Sequence, residues 1–344
     1  AGNDTGTVKN LTIVPYLIGA SSGGSVGSNF VTYDTLNGLR RLGTSEQSLV
    51  TAGATDENVR TAAGANAVTG AKVFNSLLLS SGGTGATPGT ATSSVTGDGN
   101  SLTLTSGALA NVATSATGNC TVSGFSSIIF GTSGANEAII FNNNATAGGD
   151  LTISSPIDTS AAGGGLTKGG GGNLILSASN LYTGQTTVNQ GTLQIGAGTT
   201  GDLGGNTSNI VLNGGTLLFG RTNSGLTVSN NLSGAGGVTQ NGPGGTTVLT
   251  GTNSYTGPTI VNTGGLWCEN SSALGNGGAR QHVGDGEAEA ADIVQEAGGE
   301  SYIGREVKTG GENFADFRAG DAMGPAAIEI GGRHGVADVV LHRG

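Results

Sequence analysis

The sequence predicts an all-β chain that winds into an elongated parallel β-helix, a solenoid in which each short strand pairs with the coils before and after it. Three observations support this prediction. The stretch at residues 166–195 returns 72 to 73 residues later at 238–268. Apolar and polar residues alternate in both copies with the period of a strand. A shorter echo, QGTLQIG at 190–196 and GGTLLFG at 214–220, has an offset of 24 residues, the size of one solenoid turn.

The predicted strands of the repeats are short and are separated by turn residues. Their apolar positions are Leu174, Leu176, Val188, Leu193 and Ile195 in the first copy, with matching positions at Val248, Ile260 and Leu266. Gly, Asn, Ser and Thr lie between them, and these residues suit tight bends where φ is positive and side chains must not clash with the next coil. One turn of three short strands cannot bury its own apolar face, so the turns must stack.

Composition narrows the class of protein. Only 10% of the 344 residues are charged and 4% are aromatic, whereas an ordinary globular protein carries about 25% charged residues. The 68 glycines would also fit a disordered, low-complexity chain. Disorder usually combines low hydrophobicity with high net charge, and residues 1–277 show neither strongly. We therefore predict a folded solenoid over residues 1–277.

Charge and hydropathy exclude two classes of partner. The net charge of −10 and the pI near 4.6 argue against a nucleic acid, which needs clustered Lys and Arg, and Arg40 and Arg41 are the only adjacent basic pair. The sequence has no run of 18 apolar residues, so we expect no membrane-spanning segment. Because the sequence opens at Ala1 without an initiating Met, we expect a chain processed or excerpted from a longer protein.

The two long segments resemble a known family. GGLTKGGGGNLILSASNLYTGQTTVNQGTLQIG (164–196) and GVTQNGPGGTTVLTGTNSYTGPTIVNTGGLW (237–267) are similar to the autotransporter-associated β-strand repeat, also called the passenger-associated transport repeat. The shared order is LTK, a Gly-rich turn, an apolar strand, N-x-Y-T/S-G, TTV-N and GTL. Stretches that resemble the surroundings of these repeats in large autotransporter passengers are NLTIVPYLIG (10–19), NFVTYDTLNGLRRL (29–42), NSLLLSSG (75–82) and DLTISSPI (150–157).

The resemblance implies a right-handed parallel β-helix in the passenger region of a type V secretion system, either secreted or displayed on the cell surface. It also implies outer-membrane attachment where the full-length protein carries a translocator barrel, and repeats that assist outward transport. Sequential stacking fits that role, because each emerging coil can template the next without a long-range search. Adhesion is implied by this resemblance and by no residue constellation in the sequence.

Residues 278–344 form a compositionally distinct, acidic C-terminal tail. From Arg280 onward the chain holds 18 of its 36 charged residues and all three histidines, His282, His334 and His342. The stretch 286–300 predicts a short acidic helix, and 326–332 with 336–342 predict two strands. Three interpretations stay open: a cap over the last coil, a separate module, or a segment translated out of frame. An uncovered last coil would expose a bare sheet edge, which is the physical argument for a cap.

An enzymatic site on a β-helix needs carboxylates on adjacent coils, as in polysaccharide lyases and hydrolases. Of the eleven acidic residues in 1–277 only Asp56 and Glu57 are adjacent, and a solvated loop with Arg60 as local partner is the expected setting. Asp150 and Asp158 flank a strand and fit turn-making. All histidines lie in the tail, so a serine or cysteine nucleophile in the solenoid has no base. We therefore predict no enzyme, with no catalytic, metal or cofactor-binding residues.

The remaining aromatic residues and the cysteines are predicted to be structural. Tyr182 and Tyr255 are repeat equivalents about three coils apart, roughly 14 Å. That distance favours corner packing, with hydroxyls bonded to the backbone, over a stacking site for one sugar. Trp267 is expected to be buried near the end of the solenoid. Cys120 and Cys268 are several coils apart, too far for a disulfide, and are expected to be buried thiols.

The predicted function is a bacterial structural stalk or adhesin passenger, surface-displayed or secreted, whose repeats aid export and present an elongated binding face. Its expected partners are glycans, host or cell-surface molecules, or further copies of the chain. Two alternatives stay open: an extracellular filament or surface-layer subunit, and a β-helix polysaccharide lyase or hydrolase. Concentration-dependent assembly would favour the first, and acidic residues converging on one face would favour the second.

Overall fold

The computed structural model describes residues 9–19, 29–34, 38–80, 93–112, 119–132, 136–143, 149–159, 163–205, 208–269, 272–275, 280–282, 292–297, 300–304, 328–332 and 337–341. Strands dominate these residues, and the helical structure described is a single 3-10 turn at Thr44–Glu46. No helix among the described residues is long and apolar enough to cross a membrane.

The described strands, in chain order, are β1 (Ile13–Gly19), β2 (Asn29–Asp34), β3 (Gly38–Arg41), β4 (Ser48–Leu49), β5 (Asn58–Arg60), β6 (Gly64–Ala67), β7 (Lys72–Leu79), β8 (Ser93–Thr96), β9 (Leu102–Asn111), β10 (Cys120–Ser123), β11 (Ile128–Phe130), β12 (Ala138–Asn142), β13 (Leu151–Ile153), β14 (Ile157–Asp158), β15 (Leu166–Gly169), β16 (Asn173–Leu176), β17 (Thr186–Val188), β18 (Thr192–Gly198), β19 (Ile210–Leu212), β20 (Thr216–Arg221), β21 (Leu226–Val228), β22 (Leu232–Ser233), β23 (Val238–Leu249), β24 (Thr259–Cys268), β25 (Arg280–His282), β26 (Asp292–Ala297), β27 (Glu300–Gly304), β28 (Ile328–Gly332) and β29 (Ala337–Leu341).

Two long sheets make up the solenoid. The strand order is β22-β19-β17-β15-β12-β9-β7-β5-β4 in sheet I and β27-β26-β24-β23-β20-β18-β16-β13-β10-β8-β6 in sheet II. Neighbouring strands along both paths are parallel, except β26 and β27. Leu193 pairs with Leu217 and Leu217 pairs with Val238, so successive coils are 24 and 21 residues long. The predicted all-β parallel β-helix is confirmed.

The interior of the solenoid is a continuous apolar column. Leu151, Leu174, Leu193, Leu217 and Val238 lie on successive coils in register, and each is fully buried. Burying such a side chain contributes about 1.5–3 kcal/mol, and a single coil lacks the layers above and below that provide the burial. Stacking is therefore what makes each coil stable.

The inward positions of the second repeat differ from the predicted ones. Leu266 is buried as expected, but Val248 and Ile260 lie on the outward, half-exposed side of their strands, and Leu249 and Val261 point inward. The turn of the second repeat, NGPGGT, has one residue more than GGGGN in the first. Because side chains alternate between the two faces, this extra residue reverses which of two neighbours is inside.

A three-stranded antiparallel sheet, β1-β2-β3, was not predicted. We call it the N-terminal sheet. It packs on the outer wall of sheet I through an apolar cluster separate from the solenoid interior: Leu11, Ile13, Phe30, Leu42, Leu78, Ala108, Ala110 and Val112. The Tyr16 hydroxyl donates to Glu137 Oε2 at 2.5 Å and ties the sheet to the solenoid. The first strands of the chain therefore cover a side wall and are not coils of the helix.

Strand pairing continues beyond residue 277. β25 and β26 both pair in parallel with β24, so His282 lies in a strand of sheet II, and the division at 277 stays a prediction. The helix predicted for 286–300 is wrong over 292–297 and at Glu300, which are strand; the other residues of that stretch lie outside the described residues. Ile293 and Val294 favour a strand, and β24 offers them a sheet edge. The two strands predicted at 326–332 and 336–342 are confirmed as the hairpin β28-β29. His334 and His342 lie outside the described residues.

Candidate functional site

Each repeat contains an asparagine that bonds the coils on both sides. Asn180 Oδ1 accepts a hydrogen bond from the backbone N–H of Ile157 at 3.0 Å, and its Nδ2 donates to the carbonyl of Asp202 at 2.7 Å. These partners lie on the preceding and following coils. The same two bonds recur in the second repeat, between Asn253, Leu232 and Ala273. The asparagine of N-x-Y-T-G therefore connects three coils at a corner where sheet pairing is interrupted.

The repeat tyrosine fills the same corner. Tyr182 and Tyr255 are both fully buried, which confirms the predicted packing. Their hydroxyls bond Thr186 Oγ1 at 3.0 Å and Thr259 Oγ1 at 2.7 Å, so the backbone partner predicted for Tyr182 is wrong. The threonine four residues later begins the next strand, within hydrogen-bonding distance of the tyrosine hydroxyl. Burial raises the pKa of Tyr182, which keeps this hydroxyl protonated.

The close approach of neighbouring coils requires a glycine at this position of the motif. A Cβ on Gly184 would lie 2.3 Å from the carbonyl oxygen of Gly163, and one on Gly257 would lie 2.3 Å from that of Gly236. Real Cβ atoms do not approach backbone oxygen this closely, so any side chain would push two coils apart. Asn, Tyr and Gly of the motif, with the threonine that begins the following strand, thus form one corner unit, which joins neighbouring coils.

A buried lysine was missed by the sequence reasoning. Lys168 lies between Ile140 and Val188 in the apolar interior of sheet I and is fully buried. Its Nζ donates to the carbonyls of Gly169 at 3.0 Å, Gly170 at 2.6 Å and Gln190 at 2.8 Å. Burial lowers the pKa of Lys168 to about 7.

Gln240 is the repeat equivalent of Lys168. It is also fully buried, accepts from Thr247 Oγ1 at 3.0 Å and approaches the Gly245 carbonyl at 3.4 Å. Both residues place a polar head beneath the Gly-rich turn, where backbone groups need partners. The sequence did contain a signal for a buried polar side chain. The third residue of LTK and of VTQ is polar, although it lies on the same, inward side of the strand as the apolar first residue.

The two repeats occupy different faces of the solenoid. β15, which opens the first repeat, lies in sheet I, whereas the equivalent start of β23 lies in sheet II. Paired positions follow Leu166 at intervals of 20, 24 and 22 residues, at Thr186, Ile210 and Leu232, so the offset of 72 to 73 residues is about three coils plus one face. The corner that holds Tyr255 is therefore about three coils from that of Tyr182, and it is also turned to another face.

Asp56 and Glu57 form a turn and not a paired site. Asp56 has a φ of 63°, and Glu57 Oε2 accepts from the Ser48 hydroxyl at 2.6 Å and the Ala54 N–H at 2.9 Å. The hydrogen bond from Ser48 lowers the pKa of Glu57. Arg60, the predicted partner, has its Nε buried without a hydrogen bond.

Three other carboxylates bond polar groups on neighbouring coils. Their contacts are Asp98 Oδ2 with the Gly70 N–H at 2.8 Å, Asp150 Oδ1 with Asn173 Nδ2 at 2.9 Å, and Asp202 Oδ1 with the Asn180 N–H at 2.7 Å. The role of Asp150 thus extends beyond the predicted turn to a bond across coils. Within the described part of the chain, no three His, Cys, Asp or Glu residues are grouped so that they could hold a metal.

The structure supports the predicted burial of the thiols and contradicts that of the tryptophan. Cys120 and Cys268 are both buried, and burial raises the pKa of Cys120. Trp267 is 47% exposed. Leu266 and Cys268 point into the interior, so the residue between them must point outward.

Comparisons with known proteins agree with this architecture. The chain matches the passenger-associated-transport-repeat family at residues 166–195 and 238–267. Each of these ranges contains one of the two corner units described above. It is also 30% identical to the "Adhesin BmaC autotransporter" of Brucella suis biovar 1 (strain 1330) over an alignment of 189 residues, which covers 45% of this chain and 5% of that adhesin. No solved structure matches. The chain therefore contains two passenger-associated transport repeats, and these repeats together with the similarity to an autotransporter adhesin support a secreted or cell-surface location.

Proposed function

We propose that the chain is a non-enzymatic stalk segment of an adhesin passenger, that it holds a binding surface away from the cell, and that its repeats aid export. The name of the similar Brucella protein supports the adhesive role. The observation that carries the proposal is the corner unit, which joins each coil to its neighbours by side-chain bonds that recur in both repeats.

The corner unit suits a chain that folds as it leaves a pore. A newly emerged coil needs only one neighbouring coil as a template, because Asn253 bonds Leu232 on one side and Ala273 on the other. Its second bond then forms when the next coil emerges. Folding outside the membrane would make backward movement costly, since a folded coil cannot re-enter a narrow pore.

Export is tested by fusing the chain to an autotransporter translocator and following protease accessibility on intact cells. Asn180→Ala with Asn253→Ala should slow the appearance of protease-resistant chain at the surface several-fold. Asn213→Ala is the matched control, because Asn213 is exposed and donates to Asn189 on the outer wall. Equal export of all variants would refute the export role.

Adhesion is tested with beads coated with the purified chain and incubated with host cells. The proposal expects saturable attachment that soluble chain inhibits. Assembly into regular fibres as concentration rises, without attachment, would favour the filament alternative. Cleavage of a polysaccharide by the purified chain would overturn the non-enzymatic reading and favour a lyase or hydrolase.

A further inference from the structure

The outer wall of the solenoid changes its chemistry at the end of the second repeat. Trp267 points outward from β24, and 47% of its surface is exposed. The equivalent residue of the first repeat is Gln194, whose Nε2 donates to the Gly196 carbonyl at 2.7 Å. The second repeat thus carries an exposed indole where the first carries an amide that bonds its own strand.

A second difference between the repeats lies beside this indole. The first repeat reads GTLQI and the second GGLWC, so Gly265 takes the place of Thr192. The Cβ that Gly265 lacks would lie 3.2 Å from Thr246 Oγ1 and 3.6 Å from Trp267 Nε1. Residues two apart on a strand are separated by about 6.6 Å, so the indole leans along the wall toward Gly265. The missing side chain leaves a recess, which the indole N–H and a hydroxyl border.

The two polar groups of the recess are available to a ligand. Within the described part of the chain, neither Trp267 Nε1 nor Thr246 Oγ1 makes a hydrogen bond. An indole N–H only donates, whereas a hydroxyl both donates and accepts. Val248 pairs with Trp267 across the strands, is half-exposed and extends the apolar surface. An apolar surface with a few unused polar groups is typical of a small-molecule site.

The size of this surface favours a small ligand over a protein. Trp267 pairs with Val248, and Val248 pairs with Thr227, so the surface spans three strands. Three strands at about 4.8 Å and five residues at about 3.3 Å give an area of about 240 Å². A stable protein interface needs about 800 Å² from each partner. A surface of this size instead suits one or two sugar rings, whose C–H groups stack on an indole.

Charge and hydrogen bonding select the class of ligand. Glu269 is exposed two residues after Trp267, and its backbone N–H continues the pairing by donating to the Leu249 carbonyl at 3.0 Å. This carboxylate, in a chain whose net charge is −10, disfavours an acidic ligand. A cation would stack on the indole, but it offers no acceptor to the indole N–H. A neutral saccharide supplies the C–H groups, hydroxyls that accept from Trp267 Nε1 and hydroxyls that donate to Glu269.

We propose that Trp267, Gly265 and Thr246 form a binding site for neutral saccharides, with a sugar ring stacked on the indole and one of its hydroxyls in the recess. This proposal rests on the proposed adhesin function and gives it a location and a ligand class. The site has a rigid support, because the inward neighbours Leu249 and Leu266 on the same two strands are fully buried in the solenoid core.

The test combines titration calorimetry of the full chain with the fluorescence of Trp267, the only tryptophan. The neutral probes are cellotetraose and tetra-N-acetylchitotetraose, which separate a hexose source from an N-acetylhexosamine source. Trigalacturonate and choline are the acidic and the cationic probe. At least one neutral probe should bind with a Kd of about 1 mM or tighter and about tenfold more tightly than the charged probes. Its binding should shift the emission of Trp267 to the blue, because a stacked ring excludes water from the indole.

The first repeat supplies the test variants. Trp267→Gln and Gly265→Thr copy its residues Gln194 and Thr192, and each should weaken binding of the neutral probe about tenfold. Gly265 has no positive φ, so a threonine fits its backbone. Gly265→Thr also keeps the indole, so its loss of affinity tests the recess by itself. Thr192→Gly is the matched control, because it opens the equivalent position of the first repeat, where no indole lies, and it should bind like the wild type.

The outcomes separate this proposal from the proposed function. Absence of binding for both neutral probes, tighter binding of choline or trigalacturonate, or unchanged binding in Trp267→Gln and Gly265→Thr would overturn the site. A dimer of the wild-type chain that Trp267→Gln dissociates would overturn it in favour of self-association. If coated beads attach to cells equally well with and without Trp267→Gln, the adhesin function stands and the site fails as its location. Circular dichroism checks that each variant keeps its fold, which is expected because both positions face outward.

Discussion

Substitution of the buried Lys168 should change how stability depends on pH. Its ammonium group is surrounded by the carbonyls of Gly169, Gly170 and Gln190, and no carboxylate is among its hydrogen-bond partners. Burial lowers the pKa of Lys168 from 10.5 to about 7 in the folded chain. The informative variants are Lys168→Gln, which copies the residue that the second repeat carries at Gln240, and Lys168→Met, which keeps the length and removes the amine.

The direction of the effect follows from proton binding. Because the folded-state pKa lies below the unfolded one, the unfolded chain binds the extra proton between pH 7 and pH 10.5, and stability rises with pH in this window. A shift from 10.5 to about 7 corresponds to about 5 kcal/mol between the two protonation states. Hydrogen bonds to the three carbonyls stabilise the ammonium form and offset part of this free-energy difference. We expect the wild type to gain about 2–4 kcal/mol between pH 7 and pH 10 relative to Lys168→Gln.

The assay is urea unfolding followed by far-ultraviolet circular dichroism at several pH values. Lys168→Met should be close to wild type at pH 6, where burial of the charge offsets its hydrogen bonds, and clearly less stable at pH 10. Lys72→Gln is the matched control, since it removes a positive charge from a partly exposed strand position. Parallel stability curves for wild type and Lys168→Gln from pH 7 to pH 10 would refute the reasoning.

Three further predictions test the corner unit and the register. Gly257→Ala should destabilise the chain by about 1–3 kcal/mol, because its Cβ would meet the Gly236 carbonyl, whereas Gly205→Ala meets only ordinary contacts; thermal unfolding measures both. The fluorescence of Trp267, the only tryptophan, should be quenched by acrylamide in the folded chain, and a protected, blue-shifted emission would contradict its outward position. Deleting residues 167–238 joins Leu166 to Thr239, keeps the alternation of inward and outward side chains and should leave a folded, shorter solenoid. Deleting 167–237 sets Leu166 beside Val238, both inward, and should abolish cooperative unfolding.

The sequence predicted the parts of the fold that follow from period. Alternation in the repeats and the 24-residue echo predicted parallel strands and the coil length, because a solenoid repeats the same local geometry. One extra residue in a turn of the second repeat shifts the alternation of inward and outward side chains. The predicted positions Val248 and Ile260 therefore point outward, and their neighbours Leu249 and Val261 point inward. A single insertion is enough for this error, since the side-chain period is two.

Features that depend on non-local contacts could not be predicted in the same way. The N-terminal sheet packs on residues that are distant in the chain, such as Leu78, which shares an apolar cluster with Ile13 from 65 positions away, and no local pattern in 10–42 distinguishes the sheet from a coil. The buried position of Lys168 depends on three backbone carbonyls that only the folded corner brings together. The exposure of Tyr33 and Leu39 depends on which side of the sheet meets the solenoid wall.

The position of the repeats explains where an adhesive surface is to be sought. The side chain of each repeat asparagine takes from the neighbouring coils only backbone N–H and carbonyl groups, which every face of a parallel solenoid offers, so the asparagine can occupy any face. Its two copies accordingly lie about three coils plus one face apart, and their side chains are used inside the corner. Equivalent repeat positions therefore do not align into a common binding stripe. We therefore expect an exposed surface with its own chemistry in the non-repeated parts of the chain, and the N-terminal sheet, which packs on the side wall and leaves Tyr33 and Leu39 exposed, is one such part. Trp267, which stands where the other repeat has Gln194, is a second departure from the repeated pattern.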